Sequence, residues 1–274
     1  VQAFFSGPQW VPPSGTLGEL TRAAFERAEA AARRSGELRN QARDQRPATP
    51  FAGALRADVV RVIAEVKRAS PSKGAINPDL DAAQQAACYV AGGAAAISVL
   101  TEPSRFGGSL DDLALVTARV DVPVIRKDFL VAPVQLWEAR AAGASAALVI
   151  VRALDPDGLS RLVDAAHETG LSLLFEVRDV HELERAVQAG AEVIGVNNRN
   201  LETLVIDPHT ATQVIPGIPP GIIAVAESGI RSVDDMLPAA RAGADAILVG
   251  SAVSAASDPT AAVRALSGVP RRAR

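Results

Sequence analysis

Pro123-Val-Ile-Arg-Lys-Asp-Phe129 is a short apolar run that ends on a lysine, with an aromatic two residues further on. Five other runs follow the same grammar: Val62 to Lys67, Leu173 to Glu176, Val193 to Asn197, Ile222 to Glu227 and Ala246 to Ser251. Each opens on aliphatic residues and closes on a polar or small one. Strands of a parallel sheet buried on both faces read as nearly continuous apolar runs. A chain that repeats this polar ending so often describes the mouth of a (β/α)8, or TIM, barrel, where the carboxyl ends of the strands carry the site.

Glycine punctuates the same segments. The triplets Ala91-Gly-Gly93, Ala142-Gly-Ala144, Ala189-Gly-Ala191 and Ala242-Gly-Ala244 each close a helical pattern and precede an apolar run. Glycine just past a helix end supplies the left-handed conformation that caps it. The unit is helix, glycine cap, strand, loop. It places strands near 62–67, 95–100, 122–127, 146–151, 171–177, 193–197, 222–227 and 246–250. Helices are expected near 79–92, 109–119, 133–143, 157–169, 179–189, 208–214, 231–242 and 259–267. Eight strands alternating with eight helices favour a closed barrel over an open doubly wound sheet. The dinucleotide fingerprint G-x-G-x-x-G is also missing after the first strand.

An extra helical segment precedes the repeat. Residues 1 to about 14 are rich in Pro and Gly, carry Phe4, Phe5 and Trp10 without a period, and read as a loosely structured lead-in. From Thr16 to about Arg43, Leu17, Leu20, Ala24 and Ala28 recur at helical spacing, with a break expected at Gly36. Arg46-Pro-Ala-Thr-Pro50 ends that segment. The expected division is an N-terminal extension over 1–50 and a single catalytic barrel over 51–274.

Net charge is slightly negative, at −3, and no basic block stands out, which argues against a nucleic-acid partner. No stretch approaches the roughly 18 apolar residues of a membrane span, and the N-terminus lacks signal-peptide order. The single Cys88 excludes an internal disulfide framework and fits a reducing, cytoplasmic setting.

Side chains alternate along a strand. Ile63, Glu65 and Lys67 therefore share one face. The same parity joins Ile125 to Lys127, Leu174 to Glu176, Gly195 to Asn197, Val225 to Glu227 and Leu248 to Gly250. In a closed ring these inward ends converge, so two lysines and three carboxylates share one cavity. A charge-paired plug is the inert alternative, but such a plug is costly to bury even when paired. His167, His181 and His209 fall on helices or loops as surface residues. Proton transfer would then rest on Lys and Glu. No His/Cys/Asp cluster has metal-ligand spacing, so no metal is expected.

The loops supply the rest. Ser228-Gly229-Ile230 follows the seventh strand and Gly250-Ser251 the eighth. In many barrels these loops bind a phosphate through backbone N–H groups. Ser70-Pro-Ser-Lys-Gly74, after the first strand, is a third candidate, although Lys73 itself reads as a solvated loop charge. Phe106 and Phe129, read as loop phenylalanines exposed above the polar ring, would flank the mouth beside Pro71, Leu148, Ile150 and Leu201. They suit a flat apolar portion of a substrate. Arg152, a large cation just past the fourth strand, is expected to point outward.

These motifs resemble a known family. Ile63-Ala-Glu-Val-Lys-Arg-Ala-Ser-Pro-Ser72 is similar to the first-strand signature of indole-3-glycerol-phosphate synthase, from tryptophan biosynthesis. The stretches Ser98 to Asp112, Arg126-Lys-Asp-Phe129, Phe175-Glu-Val177, Ile194 to Thr203 and Ala226-Glu-Ser-Gly-Ile230 resemble its later segments, in order and over about residues 50 to 270. The resemblance implies a carboxy-lyase that needs no cofactor. It would close the indole ring of 1-(2-carboxyphenylamino)-1-deoxyribulose 5-phosphate with loss of carbon dioxide and water. By the same resemblance, Lys127 corresponds to the general acid and Lys67 to the lysine that holds the benzoate carboxylate. Glu176 corresponds to the base of the dehydration, while Glu65, Asn197 and Glu227 correspond to positioning residues. Ser70, Gly229, Gly250 and Ser251 correspond to phosphate contacts, and Asn198 and Arg199 to the sixth-loop motif.

The expected partner is a phosphorylated small molecule, and the expected state a monomer or weak homodimer. No phosphoribosylanthranilate isomerase segment follows the barrel, so a bifunctional fusion is not expected. Two alternatives stand beside the synthase. One is a sugar-phosphate isomerase of the phosphoribosylanthranilate isomerase type, which usually works with a Cys or Asp pair at strand ends. The other is a non-catalytic phosphometabolite-binding barrel, against which the intact Lys and Glu set argues.

Overall fold

Apolar strands that alternate with capped amphipathic helices can bury every face at once only by wrapping the helices around a closed sheet. The computed structural model, which describes residues 10–274 apart from Lys73, has that architecture. Eight parallel strands form a closed ring in which each neighbours the next in sequence and the last pairs with the first. They are β1 (Arg61–Val66), β2 (Ala96–Leu100), β3 (Val124–Lys127), β4 (Ala146–Ile150), β5 (Ser172–Val177), β6 (Val193–Asn197), β7 (Ile223–Glu227) and β8 (Ala246–Val249). Each lies within two or three residues of its expected position.

Polar N-caps set where the surrounding helices begin. Asp81, Ser109, Asp155, Asp179, Ser232 and Asp258 each accept a hydrogen bond from the backbone N–H three residues on. The glycine caps are in place too, with φ of 101° at Gly93, 85° at Gly143, 81° at Gly190 and 101° at Gly243. Ile63, Ile97, Ile125, Leu174 and Val225 are fully buried in the core.

The N-terminal segment departs from expectation. It is two helices, α1 (Gly15–Ala32) and α2 (Ser35–Arg43), and the break falls at Arg33 and Arg34 rather than at Gly36, which sits inside the first turn of α2. The turn has a packing reason. Leu17, Leu20, Ala24 and Ala28 of α1 join the main core, whereas Leu38 and Ala42 of α2 pack with Ala31 against Trp137 in a separate cluster. Arg34 closes the new first turn through its bidentate pair with Glu37.

The lead-in is docked over its described part. Trp10 Nε1 donates to Arg152 O at 3.3 Å, and Arg152 donates to Val11 O at 2.7 Å. Phe4 and Phe5 lie outside the described residues. Several short elements escaped the sequence reading: a hairpin of Ala69–Ser70 with Gly74–Ala75, and helices Phe51–Ala54, Pro103–Phe106 and Ser251–Ser254.

Candidate active site

The staggered strands bring the inward polar residues together at their carboxyl ends. Glu176 of β5 lies opposite Gly195 of β6, and Asn197 of β6 opposite Glu227 of β7. Glu65, Glu176, Asn197 and Glu227 are all buried. Lys127 Nζ donates to Glu176 Oε2 at 2.8 Å and to Glu227 Oε2 at 3.0 Å. Lys67 Nζ donates to Glu65 Oε1 at 3.2 Å. Asn197 Nδ2 donates to Glu176 Oε1 at 3.0 Å, so the face of that carboxylate away from Lys127 is fixed as well.

Two glycines make room for the carboxylates. A Cβ on Gly195 would collide with Glu227 Oε1, and one on Gly250 with Glu65 Oε1. The direction from Gly250 adds to its sequence reading as a phosphate contact. A side chain there would strike the floor of the site first.

Electrostatics follow from this crowding. Burial alone would lower the Lys127 pKa, but Glu176, Glu227 and Glu65 together outweigh it and hold the ammonium above its ordinary range. Glu227 is pushed up to about 7, by burial first and by the neighbouring Glu176 and Glu65 charges, against the pull of Lys127. Its Oε1 has no hydrogen-bond partner among the described residues.

The cavity above this floor measures about 570 Å³, within the usual ~300–1,000 Å³ of small-molecule sites. One wall carries Ser70, Ser228, Gly229, Gly250 and Ser251, which the sequence placed after three different strands. Ser228 and Gly229 hold φ of 66° and 83°, and a non-glycine residue at positive φ is strain of the kind that persists at functional sites. Another wall carries Phe106, Phe129, Leu148, Ile150 and Leu201. The phenylalanines are not exposed as expected: Phe129 is buried and Phe106 half-buried. Their rings pack at 6.2 Å between centroids, and Lys67 Nζ lies 5.6 Å from the Phe106 centroid. Arg199 lines the cavity beside Leu201, with Nη1 donating to Leu204 O at 2.9 Å, and burial lowers its pKa.

Residues the sequence reading missed complete the lining. Thr16 and Leu20 of α1 face the cavity, as do Leu204 and Ile206. The helical stripe of α1 was visible, but nothing local showed that its first turn reaches the mouth. Arg152 does not line this cavity, yet it is half-buried rather than pointing outward: it pairs with Glu202 at 2.9 Å beside a second, smaller cavity of about 140 Å³ that Glu176 and Asn197 also line. Lys73 lies outside the described residues. His167, His181 and His209 are exposed. Among the described residues no group of three or more His, Cys, Asp or Glu could hold a metal, and no helix is long and apolar enough to cross a membrane.

A closed parallel barrel whose strand ends carry a buried lysine–carboxylate ring defines a (β/α)8-barrel enzyme. The family model described as indole-3-glycerol phosphate synthase matches residues 19–266. The chain is 56% identical over 227 residues to indole-3-glycerol phosphate synthase 1 of Streptomyces coelicolor, covering 83% of this chain and 84% of that one. It is 48% identical over 241 residues to the indole-3-glycerol phosphate synthase of Mycolicibacterium vanbaalenii, covering 86% and 89%. The 3-hexulose-6-phosphate synthase structure from Salmonella typhimurium superposes with a TM-score of 0.62 at 18% identity, covering 76% of this chain and 97% of that one, which shows the fold alone. The chain belongs to the indole-3-glycerol phosphate synthase family.

Proposed function

We propose that this chain converts 1-(2-carboxyphenylamino)-1-deoxyribulose 5-phosphate to indole-3-glycerol phosphate, carbon dioxide and water. Beyond family membership, one observation carries the assignment of roles. A lysine sits between two buried carboxylates, Glu176 at 2.8 Å and Glu227 at 3.0 Å, on the floor of a cavity with a glycine- and serine-lined wall and an aromatic wall.

Ring closure joins the ring carbon that bears the carboxylate to the ketone carbon. The ketone oxygen gains an electron pair and needs a proton. Lys127, held protonated by its carboxylates, donates a hydrogen bond to that oxygen and then the proton. Because it acts on charge that develops in the transition state, it serves rate more than affinity. The carboxylate then leaves as carbon dioxide, and its bonding pair restores the aromatic ring.

In the second stage the new hydroxyl takes a proton from an acid and leaves as water. The ring CH2 between nitrogen and that carbon gives up a proton to a base, its C–H pair forming the new ring double bond. Glu176 suits the base, because Lys127 and Asn197 fix both of its oxygens. Lys67, beside the Phe106 face, suits the partner of the benzoate carboxylate and the acid for the departing hydroxyl. Glu65 holds Lys67, while Glu227 holds Lys127. The backbone around Gly229, Gly250 and Ser251, with Ser70 and Ser228, suits the phosphate, and Arg199 suits the rim of the site. The setting we infer is the cytoplasm.

Turnover of the carboxyphenylamino substrate, followed by indole fluorescence, tests the whole reading. Appearance of the indole signal is expected. Isomerisation without that signal would favour the isomerase alternative, and binding without turnover the non-catalytic one.

A further inference from the structure

Outside the lysine–carboxylate ring, one cluster of buried charge ties the N-terminal extension to two loops of the site. Glu102, just past β2, is fully buried, and so is Asp128, the residue after Lys127. Arg27 of α1 reaches both carboxylates. Its Nη2 donates to Asp128 Oδ1 at 2.7 Å, and its Nη1 lies 3.7 Å from Glu102 Oε1.

The two carboxylates do different work. Asp128 has other partners: Thr101 Oγ1 donates to its Oδ2 at 2.8 Å, Arg126 Nη2 at 3.2 Å, and Phe129 N donates to its Oδ1 at 2.7 Å. Glu102 caps the short helix that ends on Phe106, accepting from Ser104 N at 3.0 Å and Arg105 N at 2.7 Å. Among the described residues Arg27 is the one cation within ion-pair distance of Glu102. The same guanidinium thus braces the cap of the Phe106 helix and the residue that fixes the backbone of Phe129. These two rings form the aromatic wall, and Phe106 faces Lys67.

We infer that Arg27 is a positioning residue for the aromatic half of the substrate, setting the spacing of Phe106 and Phe129 from outside the barrel. A buried carboxylate without its counter-charge is costly, so loss of Arg27 releases the Glu102 cap and lets the Phe106 helix shift. The Phe106 helix packs on the Ala69–Ser70 strand of the first loop, but the rest of the phosphate wall, from the loops after β7 and β8, contributes no residue to this cluster. The effect should therefore fall mainly on the aromatic end of the substrate. The inference rests on the synthase reading for what the aromatic wall holds.

The test separates the two ends. Binding of 2-aminobenzoate and of inorganic phosphate is measured on the wild-type chain, R27M and R27K. R27M is expected to weaken 2-aminobenzoate at least ~10-fold, about 1.4 kcal/mol, while phosphate affinity is unchanged. R27K keeps the charge but not the fork that spans two carboxylates, so partial recovery is expected. With the full substrate, R27M should raise KM and leave kcat largely in place. Equal weakening of both probes, or no change in either, overturns the inference. If the wild-type chain produces no indole from the substrate, the synthase reading fails, and the two binding measurements still judge Arg27.

Discussion

At the scale of single residues, Lys127 and Glu176 are in contact, yet they should fail differently when replaced. Lys127→Ala removes the proton donor for ring closure. Its kcat is expected to fall at least ~100-fold, the lower end for general acid catalysis, with little change in KM, because the ammonium acts on charge that appears only in the transition state. Steady-state kinetics at saturating substrate checks this, and an unchanged kcat would remove Lys127 from the mechanism. Glu176→Gln keeps an oxygen for Lys127 to bond but cannot accept a proton. Ring-closed, still hydrated material should then accumulate, visible when the reaction is quenched and separated. Recovery of unreacted substrate alone would place Glu176 in the first stage. The parity of side chains along each strand made this set of residues legible in the sequence. The direction of Gly250 was not, since a glycine in a sequence does not say which neighbour needs its missing Cβ. Here that neighbour is Glu65.

At the scale of elements, legibility followed length. The eight strands and the longer helices carry enough periodic residues and caps to be read locally. The hairpin at Ala69–Ser70 and Gly74–Ala75 and the helices Pro103–Phe106 and Ser251–Ser254 have two to four residues each, too few to show a period. Contacts such as Arg27 with Asp128 span 101 residues, and no local pattern encodes them. The tail illustrates the same limit. Asp245, buried just before β8, accepts from Ala224 N at 2.8 Å, from Arg271 at 2.7 Å and from Arg274 at 3.0 Å. These contacts pin the last residues beneath the barrel, at the amino ends of the strands. Asp245→Ala would orphan a buried N–H and unpair two arginines. Arg271 is about a third exposed, so the cost should lie near the lower end of the ~3–5 kcal/mol for breaking a buried pair. A thermal melt should show that loss, while kcat at low temperature stays at the wild-type value because the site lies at the other end of the strands. A fall in kcat equal to the loss in stability would mean that the two ends of the barrel are coupled.

At the scale of the whole molecule, closing the barrel forces three carboxylates and two lysines into one dry floor, and folding must meet that cost whether or not substrate is present. Glu227 shows it most clearly, with a carboxyl near 7 in the folded chain against an ordinary 4.5. Between those values the folded state holds a proton that the unfolded state has released. Stability therefore falls as pH rises through that window, the reverse of a carboxylate stabilised by an ion pair. A shift from 4.5 to about 7 corresponds to about 3 kcal/mol at most, at ~1.36 kcal/mol per unit. Glu227→Gln carries no proton to lose and still offers an oxygen to Lys127. Denaturant unfolding of the two proteins at intervals from pH 4.5 to 8 should therefore give curves that diverge, with the wild type losing stability relative to the variant as pH rises. Parallel curves would mean that Glu227 stays charged across the window. Its Oε1, packed over Gly195, would then be a buried anionic oxygen with no hydrogen-bond donor among the described residues.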